Sequence, residues 1–235
     1  MLHSTREYQM SRNMNTRRSL YIICLLLLSA VGNKLDAQTV VKSVRQANDS
    51  TNHALIHQIG FDVRPGYVAP TNSFLEGDNA QRQKIDRSLS LHLKYAFQFS
   101  KDSYLGRLYP HAYQGIGVSH NTFYNSAELG NPVAVYAFQG APIVRLSSCL
   151  SLDYEWNFGA SFGWKQYDEH SNWYNDAIGS KINAYINLGF VLNWQFYPQW
   201  KLAAGVDFTH FSNGNTRYPN GGLNTIGGRV GIVRT

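Results

Sequence analysis

Apolar and polar side chains alternate along several long stretches of the chain, and this period of two is typical of β-strands whose two faces meet different surroundings. The clearest stretches cover residues 150–164 and 182–196. In both, mainly aliphatic and aromatic side chains occupy one face, while serine, asparagine, glycine and a few charged residues occupy most of the other. The pattern therefore predicts long amphipathic strands in this part of the chain.

Further alternating stretches bring the predicted total to about eight strands. These additional strands are expected around residues 55–63, 88–100, 116–118, 133–146, 202–212 and 224–232. The Pro65-Gly66 pair is expected to end the first strand, because proline and glycine commonly interrupt strands. Pro142 predicts a bulge or an irregular pairing inside the fourth strand.

The polar segments between the strands differ in length. Two predicted turns, near residues 147–150 and 197–200, are short, and the connector 101–113 is longer. The remaining polar segments are long loops expected at the opposite end of the strands, over residues 65–87, 120–132, 165–180 and 213–221. If both termini lie in the periplasm, these four loops are extracellular, as in outer-membrane barrels.

The polar faces of the strands indicate which kind of β-fold they form. Asp62, Lys94, Asp153 and Glu155 all fall on polar faces, which suits the hydrogen-bonded interior of a small membrane barrel. We therefore predict an all-β fold, an eight-stranded antiparallel transmembrane β-barrel whose apolar faces contact lipid. The alternative is a soluble β-sandwich or a lipocalin-like barrel, in which the apolar faces point inward.

The N-terminal segment has the features of an export signal. Arg17 and Arg18 precede the apolar run 20–31, which is too short to span a bilayer comfortably, and Ala37 provides a small residue for cleavage. An uncleaved membrane anchor is the alternative. The predicted organisation is a signal peptide over residues 1–37, an N-terminal lead-in over 38–52 and an outer-membrane β-barrel over 53–235. This predicts export to the outer membrane of a Gram-negative bacterium.

Composition and charge agree with a strand protein that contacts lipid, since only 15% of the residues are charged and 14% are aromatic. Residues 1–37 contain five basic and two acidic side chains, so their removal lowers the formal charge from +6 to +3. This small, scattered excess argues against a nucleic-acid partner. Cys149 would then be the only cysteine, which excludes an intramolecular disulfide. No metal or cofactor motif is present, so neither is expected.

Candidate chemistry lies at the end of the seventh strand. His210 and Ser212 continue the apolar face that includes Phe208, and residues two apart on a strand have Cα atoms about 6.5–7 Å apart on one face. At that separation a neutral imidazole can act as the general base for a serine nucleophile in acyl transfer. An ionisable histidine on the lipid side of a barrel is costly unless it has a partner and a function.

The residues that follow supply the other groups that acyl transfer needs. Asn213 and the Gly214 N–H come directly after Ser212 and are candidates for stabilising an oxyanion. Asn224 falls on the matching face of the next strand, where it can orient the imidazole. The alternative interpretation is that His210 and Ser212 are ordinary interfacial polar residues at a strand end.

The segment from His210 to Gly214, followed by Pro219-Asn220 and a glycine-rich aliphatic strand, resembles the signature of the outer-membrane lipid A 3-O-deacylases, the acyloxyacyl hydrolase-like barrels. The resemblance covers residues 205–232. It implies an eight-stranded barrel with a His/Ser site on its outer surface near the outer leaflet, which removes an ester-linked acyl chain from lipid A. It also implies that Ser212 is the nucleophile, His210 the base, Asn213 with Gly214 the oxyanion hole and Asn220 a supporting residue.

The sequence departs from this family at Asn224, where the family's acidic residue, a glutamate, would fall. An asparagine can orient a histidine but cannot stabilise an imidazolium by charge. Glu128, in a predicted outer loop, is a possible replacement acid, whereas the parity of Asp207 puts it in the lumen. The sequence Asp168-Glu169-His170 is interpreted as a solvated loop rather than a metal site. Basic residues in the predicted outer loops are candidates for contact with lipid A phosphates: Arg82, Lys84, Arg87 and Arg217.

Taken together, the sequence predicts an outer-membrane serine esterase that acts on lipid A, the lipid part of lipopolysaccharide, with lipid A in the outer leaflet and the membrane itself as its partners. One alternative is a non-catalytic barrel with a structural or adhesive role. Another is a soluble lipid-binding barrel.

Overall fold

The computed structural model describes residues 55–235. The signal peptide predicted over residues 1–37 and the lead-in predicted over 38–52 lie outside the described residues and stay predictions.

Eight antiparallel strands form a closed barrel in chain order, and β1 pairs with β8 to complete it. One short helix, α1, lies in the connector between β2 and β3. The elements are β1 (Ile56–Val68), β2 (Arg87–Gln98), α1 (Tyr104–Leu108), β3 (Tyr113–Thr122), β4 (Gly130–Arg145), β5 (Leu150–Trp164), β6 (Ile182–Tyr197), β7 (Trp200–Ser212) and β8 (Leu223–Arg234). The predicted eight-stranded antiparallel barrel is therefore confirmed.

The apolar face of each strand points out of the barrel. On β6, for example, Ile182, Ile186 and Phe190 are exposed, whereas Asn183 and Asn187 are buried. Because successive side chains point to opposite faces of a strand, this alternation gives a continuous apolar outer surface around a polar interior. That arrangement suits lipid contact, and it excludes the soluble alternatives, which require the apolar faces to point inward.

Within residues 55–235, no helix is both long enough and apolar enough to cross a membrane.

A buried ionic cluster fills the middle of the barrel. Glu155 accepts bonds from Arg229 at 2.7 Å and from Lys94 at 3.1 Å, and Asp207 lies within ion-pair distance of both Arg229 and Arg64. Three cations face three carboxylates, so the cluster is balanced in charge; its members are Asp62, Arg64, Lys94, Glu155, Asp207 and Arg229. Buried charges are tolerated when they are paired in this way.

The four long loops at one end of the barrel pack together over this interior, as an assembly that we call the outer cap (residues 69–86, 123–129, 165–181 and 213–222). Buried apolar side chains from the loops and adjoining strand ends meet there, including Phe74, Leu75, Ile85, Phe123, Leu129, Trp164, Ile178, Phe211 and Leu223. Backbone hydrogen bonds also join the loops, such as Lys165 N–H to Leu129 O at 3.1 Å. The cap therefore holds the long loops in fixed positions.

Two local details differ from the sequence prediction. The prediction that Pro65-Gly66 ends the first strand is wrong, since β1 continues to Val68. Its pairing with β2 runs unbroken through Pro65, while pairing with β8 is interrupted there, so the missing N–H of the proline disturbs only one neighbour. The helix α1 was not predicted. The predicted irregularity at Pro142 is confirmed by a register shift between β4 and β5.

Candidate active site

Two strands bring the candidate catalytic side chains together on the outside of the barrel, next to the outer cap. His210 and Ser212 lie near the end of β7, and His210 stands directly opposite Asn224 of β8. All three residues are half-buried, unlike the fully buried Phe211 between them. The strand period and the β7–β8 register together therefore place an imidazole, a hydroxyl and an amide on one outward face.

The three side chains form a continuous chain of hydrogen bonds. His210 Nδ1 lies 2.6 Å from Asn224 Oδ1, and His210 Nε2 lies 2.9 Å from Ser212 Oγ. The amide oxygen is only an acceptor, so Nδ1 carries a hydrogen and donates a hydrogen bond to Asn224 Oδ1. Nε2 is then free to accept a hydrogen bond from the serine hydroxyl. This is the geometry in which an imidazole can take a proton from an attacking serine.

The two other acids considered from the sequence are elsewhere. Asp207 lies in the lumen and forms ion pairs with Arg229 and Arg64, as its parity predicted. Glu128 is buried in the outer cap, where its carboxylate accepts hydrogen bonds from Ala80 N–H and from the Asn125 side chain. Both carboxylates are thus engaged away from His210, and Asn224 is the group that contacts Nδ1.

The two residues proposed to stabilise an oxyanion differ in whether their N–H groups are already hydrogen-bonded. Asn213 N–H donates to Asn220 Oδ1 at 3.2 Å, and Asn213 Nδ2 donates to Arg217 O at 2.7 Å. Gly214 is exposed, with a positive φ of 64°, and within residues 55–235 its N–H has no acceptor. Gly214 N–H is therefore unused within the described residues, whereas Asn213 N–H is bonded to Asn220 and one hydrogen of Asn213 Nδ2 to Arg217 O.

Gly222 also belongs to the site, although it was not among the residues predicted from the sequence. It has a positive φ of 68°, and a Cβ atom built there would lie 3.2 Å from Phe211 O and 3.5 Å from His210 Cε1. A glycine is needed at this position because the backbone adopts a left-handed conformation close to the imidazole ring. The signal in the sequence was the Gly221-Gly222 pair that precedes β8.

The remaining candidates lie outside this arrangement. Asp168 Oδ1 accepts hydrogen bonds from Ser171 N–H at 2.9 Å and His170 N–H at 3.1 Å. These bonds lower the pKa of the Asp168 carboxyl, and those from Ser171 have the largest effect. This is a self-bonded loop turn, and over residues 55–235 no cluster of three or more metal-binding side chains occurs. Arg82 and Arg87 pair with the neighbouring Asp78 and Asp86. Lys84 and Arg217 are exposed in the cap.

A cavity inside the barrel lies at the end opposite this site. It has a volume of about 310 Å³ and is lined by inward-facing residues such as Lys94, Asp153 and Lys201. None of His210, Ser212 and Asn224 lines it. The candidate site is therefore an outer-surface site, which a lipid in the surrounding bilayer can reach directly.

A family model described as lipid A 3-O-deacylase (PagL) matches residues 91–233, which is more than half of the chain and includes the three site residues. No curated protein sequence matches the chain significantly. Among solved structures, Neisserial surface protein A (NspA) is similar at 7% identity and a TM-score of 0.49, over 77% of this chain and 98% of that one. The outer membrane enzyme PagL is similar at 11% identity and a TM-score of 0.47, over 73% of this chain and 97% of that one.

Proposed function

The chain belongs to the lipid A 3-O-deacylase (PagL) family, and from this premise we propose that it is an outer-membrane serine esterase that hydrolyses an ester-linked acyl chain of lipid A. The observation that carries the proposal is the chain of hydrogen bonds from Ser212 through His210 to Asn224 on the lipid-facing side of the barrel. A serine hydroxyl alone is a weak nucleophile, and an adjacent imidazole base is what activates it.

In the first half of the reaction, Ser212 Oγ attacks the carbonyl carbon of the ester while its proton passes to His210 Nε2. The imidazolium that results keeps its Nδ1–H directed at Asn224 Oδ1, so the ring stays in the productive orientation. The carbonyl oxygen becomes an oxyanion, and Gly214 N–H is the group proposed to stabilise it.

In the second half, the tetrahedral intermediate collapses and breaks the bond to the sugar oxygen, which takes the proton from His210 Nε2 and leaves as a hydroxyl. The acyl group remains on Ser212 Oγ as an ester. Water then attacks that ester and gives one proton to His210 Nε2. As the second tetrahedral intermediate collapses, the bond from the acyl carbon to Ser212 Oγ breaks, His210 Nε2 returns the proton to Ser212 Oγ, and the fatty acid leaves.

The surroundings of the site suit a lipid substrate. Ile186 of β6 stands directly opposite His210, and it is exposed on the same outer face as Phe208. An acyl chain in the outer leaflet can lie against these side chains while its ester reaches Ser212. Substrate then arrives by lateral diffusion, so the site does not need an aqueous pocket.

The test is mass spectrometry of lipid A from Gram-negative cells that express the wild type or Ser212→Ala. We expect lipid A to lose one acyl chain with the wild type and to keep it with Ser212→Ala, because the nucleophile is absent. The matched controls are Thr122→Val and His120→Ala, which alter an outward hydroxyl and an outward imidazole near the outer end of β3. His120 stands opposite Leu91 of β2 and Val133 of β4, so no amide faces it as Asn224 faces His210. Both controls should deacylate like the wild type.

An unchanged acylation pattern with the wild type, at expression levels confirmed in isolated outer membranes, would contradict the proposal and favour the non-catalytic structural or adhesive barrel. Loss of an acyl chain that persists in Ser212→Ala would refute the role of Ser212 but not the esterase activity.

A further inference from the structure

The loop between β5 and β6 (residues 165–181) contacts the segment that leads into β8 and carries Gly222 and Asn224 of the candidate site. We infer that Asn175, a fully buried residue of this loop, is a positioning residue for His210 and Asn224. It acts through the backbone carbonyls of Asp176 and Ala177. The structural part of this inference stands by itself, and its catalytic consequence rests on the proposed function.

The side chain of Asn175 clamps a tight turn of the loop to the adjoining cap. Its Oδ1 accepts hydrogen bonds from Ala177 N–H at 3.1 Å and Ile178 N–H at 3.0 Å. Its Nδ2 donates to Glu128 O at 3.0 Å and Lys165 O at 2.9 Å. The four bonds use the full hydrogen-bonding capacity of the amide, and they fix the turn against neighbouring backbone on both sides.

The loop turn that Asn175 fixes also holds the segment that leads into β8. Gly221 N–H donates to Asp176 O and Gly222 N–H donates to Ala177 O, both at 3.0 Å. These acceptors lie on the two residues that directly follow Asn175. The position of the Gly221-Gly222 backbone thus depends on the loop that Asn175 organises, beside a longer contact of 3.5 Å from Asn72 Nδ2 to Gly222 O.

The segment held in this way meets the imidazole at two points. A Cβ atom at Gly222 would lie 3.5 Å from His210 Cε1, so the Gly222 backbone passes beside the imidazole ring. Two residues further on, Asn224 Oδ1 lies 2.6 Å from His210 Nδ1. A shift of this segment therefore moves the hydrogen-bond acceptor of the ring together with the backbone beside it.

Small displacements of catalytic groups have large kinetic effects, because the reacting atoms must be aligned within a fraction of an ångström. Asn175 itself lies in the cap, where it is fully buried and bonded to backbone, so no direct contact with lipid is expected. Its removal should consequently lower the rate of the chemical step while leaving substrate binding largely unchanged.

The experiment compares Asn175→Ala with the wild type in detergent micelles. Two measurements are made: kcat and KM for release of fatty acid from lipid A, and the NMR resonance of the His210 Cε1–H in protein carrying ¹³C-labelled histidine. We expect kcat to fall about 10- to 100-fold and KM to change less than about threefold. The His210 resonance should shift, while that of His120 on β3 should not.

Asn79 provides a matched control, since it is equally buried in the outer cap and also clamps a loop. Its Nδ2 donates to Phe74 O and Gln83 O, and its Oδ1 accepts from Gln83 N–H, all within residues 69–86. Asn79→Ala disturbs the cap at Phe74 and Gln83 and leaves in place both the bonds from Gly221 and Gly222 to Asp176 O and Ala177 O and the contact of Asn72 with Gly222 O. It should therefore leave both kcat and the His210 resonance close to those of the wild type.

Asn175→Asp serves as a second variant if Asn175→Ala does not fold. Aspartate has the same size and keeps the acceptor for Ala177 and Ile178, but it breaks the two bonds that Nδ2 donates to Glu128 O and Lys165 O. It should show the same changes in kcat and in the His210 resonance.

The inference is wrong if the His210 resonance stays in place in a folded Asn175 variant, or if it moves equally in Asn79→Ala. The NMR measurement does not depend on catalysis. Should the wild type release no fatty acid while the His210 resonance still responds selectively to Asn175, the proposed function would fail and the positioning role would stand.

Discussion

Replacing Asn224 with aspartate adds a negative charge beside the imidazole that the proposed reaction protonates. The two side chains have the same size and shape, so the carboxylate oxygen should occupy the position of Asn224 Oδ1, 2.6 Å from His210 Nδ1. The neutral imidazole of the resting enzyme gains little from this charge. The imidazolium that forms as Ser212 attacks gains an ion pair, so the transition state is stabilised more than the ground state.

The size of this effect follows from the geometry. Unit charges centred about 4 Å apart interact by about 4 kcal/mol at an effective dielectric constant of about 20. His210 and Asn224 are half-buried, so solvent screens part of this energy, and the expected stabilisation of the transition state is about 1.4–2.7 kcal/mol. At 1.36 kcal/mol for each factor of ten, Asn224→Asp should raise kcat about 10- to 100-fold.

The assay measures initial rates of fatty-acid release from lipid A in mixed micelles, for the wild type, Asn224→Asp and Asn224→Leu. Asn224→Leu removes the acceptor for Nδ1–H and should be slower than the wild type. Thr122→Asp adds a charge elsewhere on the outer rim and reports any general effect of negative charge on the binding of an anionic lipid. The double variant Ser212→Ala/Asn224→Asp should be inactive, which ties the gain to the same serine.

An Asn224→Asp variant whose kcat equals or falls below that of the wild type would refute the reasoning, provided that the His210 Cε1–H resonance shows the ring in its original position. It would mean that charge development on His210 does not limit the rate.

Three further predictions concern the glycine beside the site, the ionic cluster and an exposed loop. Gly222→Ala should lower kcat by at least about tenfold, because the methyl group crowds His210 and the residue has a positive φ; steady-state kinetics tests this, with Gly77→Ala as the control, since Gly77 also has a positive φ but lies beside Gln83 and Lys84 in the cap. Glu155→Gln should lower the free energy of unfolding by about 3–5 kcal/mol, because it leaves Arg229 and its neighbours with an excess of buried positive charge; urea unfolding in detergent measures it. The hydrogen bonds to Asp168 lower the pKa of its carboxyl in the folded protein. Their contribution to stability should therefore be complete at a pH above the pKa of an unfolded aspartate and be lost as the pH falls through the lower pKa of the folded protein. An NMR titration of the Asp168 carboxyl measures that folded pKa.

Much of the fold follows from the sequence because a strand's two faces are a local property. The period-two alternation in β5 and β6 identified those strands, placed their apolar side chains outside and put Asp153 and Glu155 in the lumen. The same parity placed His210 and Ser212 together on the outer face and assigned Asp207 to the interior. Each of these inferences needs only the spacing of residues along one strand.

Contacts between segments that are far apart in the chain were decided only by the tertiary structure. The register between β7 and β8 places Asn224 opposite His210, where the two side chains are hydrogen-bonded. The alternation along β8 alone predicted only the face on which Asn224 lies. Packing in the outer cap directs Asn213 N–H to Asn220 and Asn213 Nδ2 to Arg217 O, whereas Gly214 N–H has no acceptor within residues 55–235. The link from Asn175 to Gly222 spans two different loops. Sequence periodicity carries no information on such pairings, because they depend on how closed strands and packed loops bring distant backbone groups within hydrogen-bonding distance.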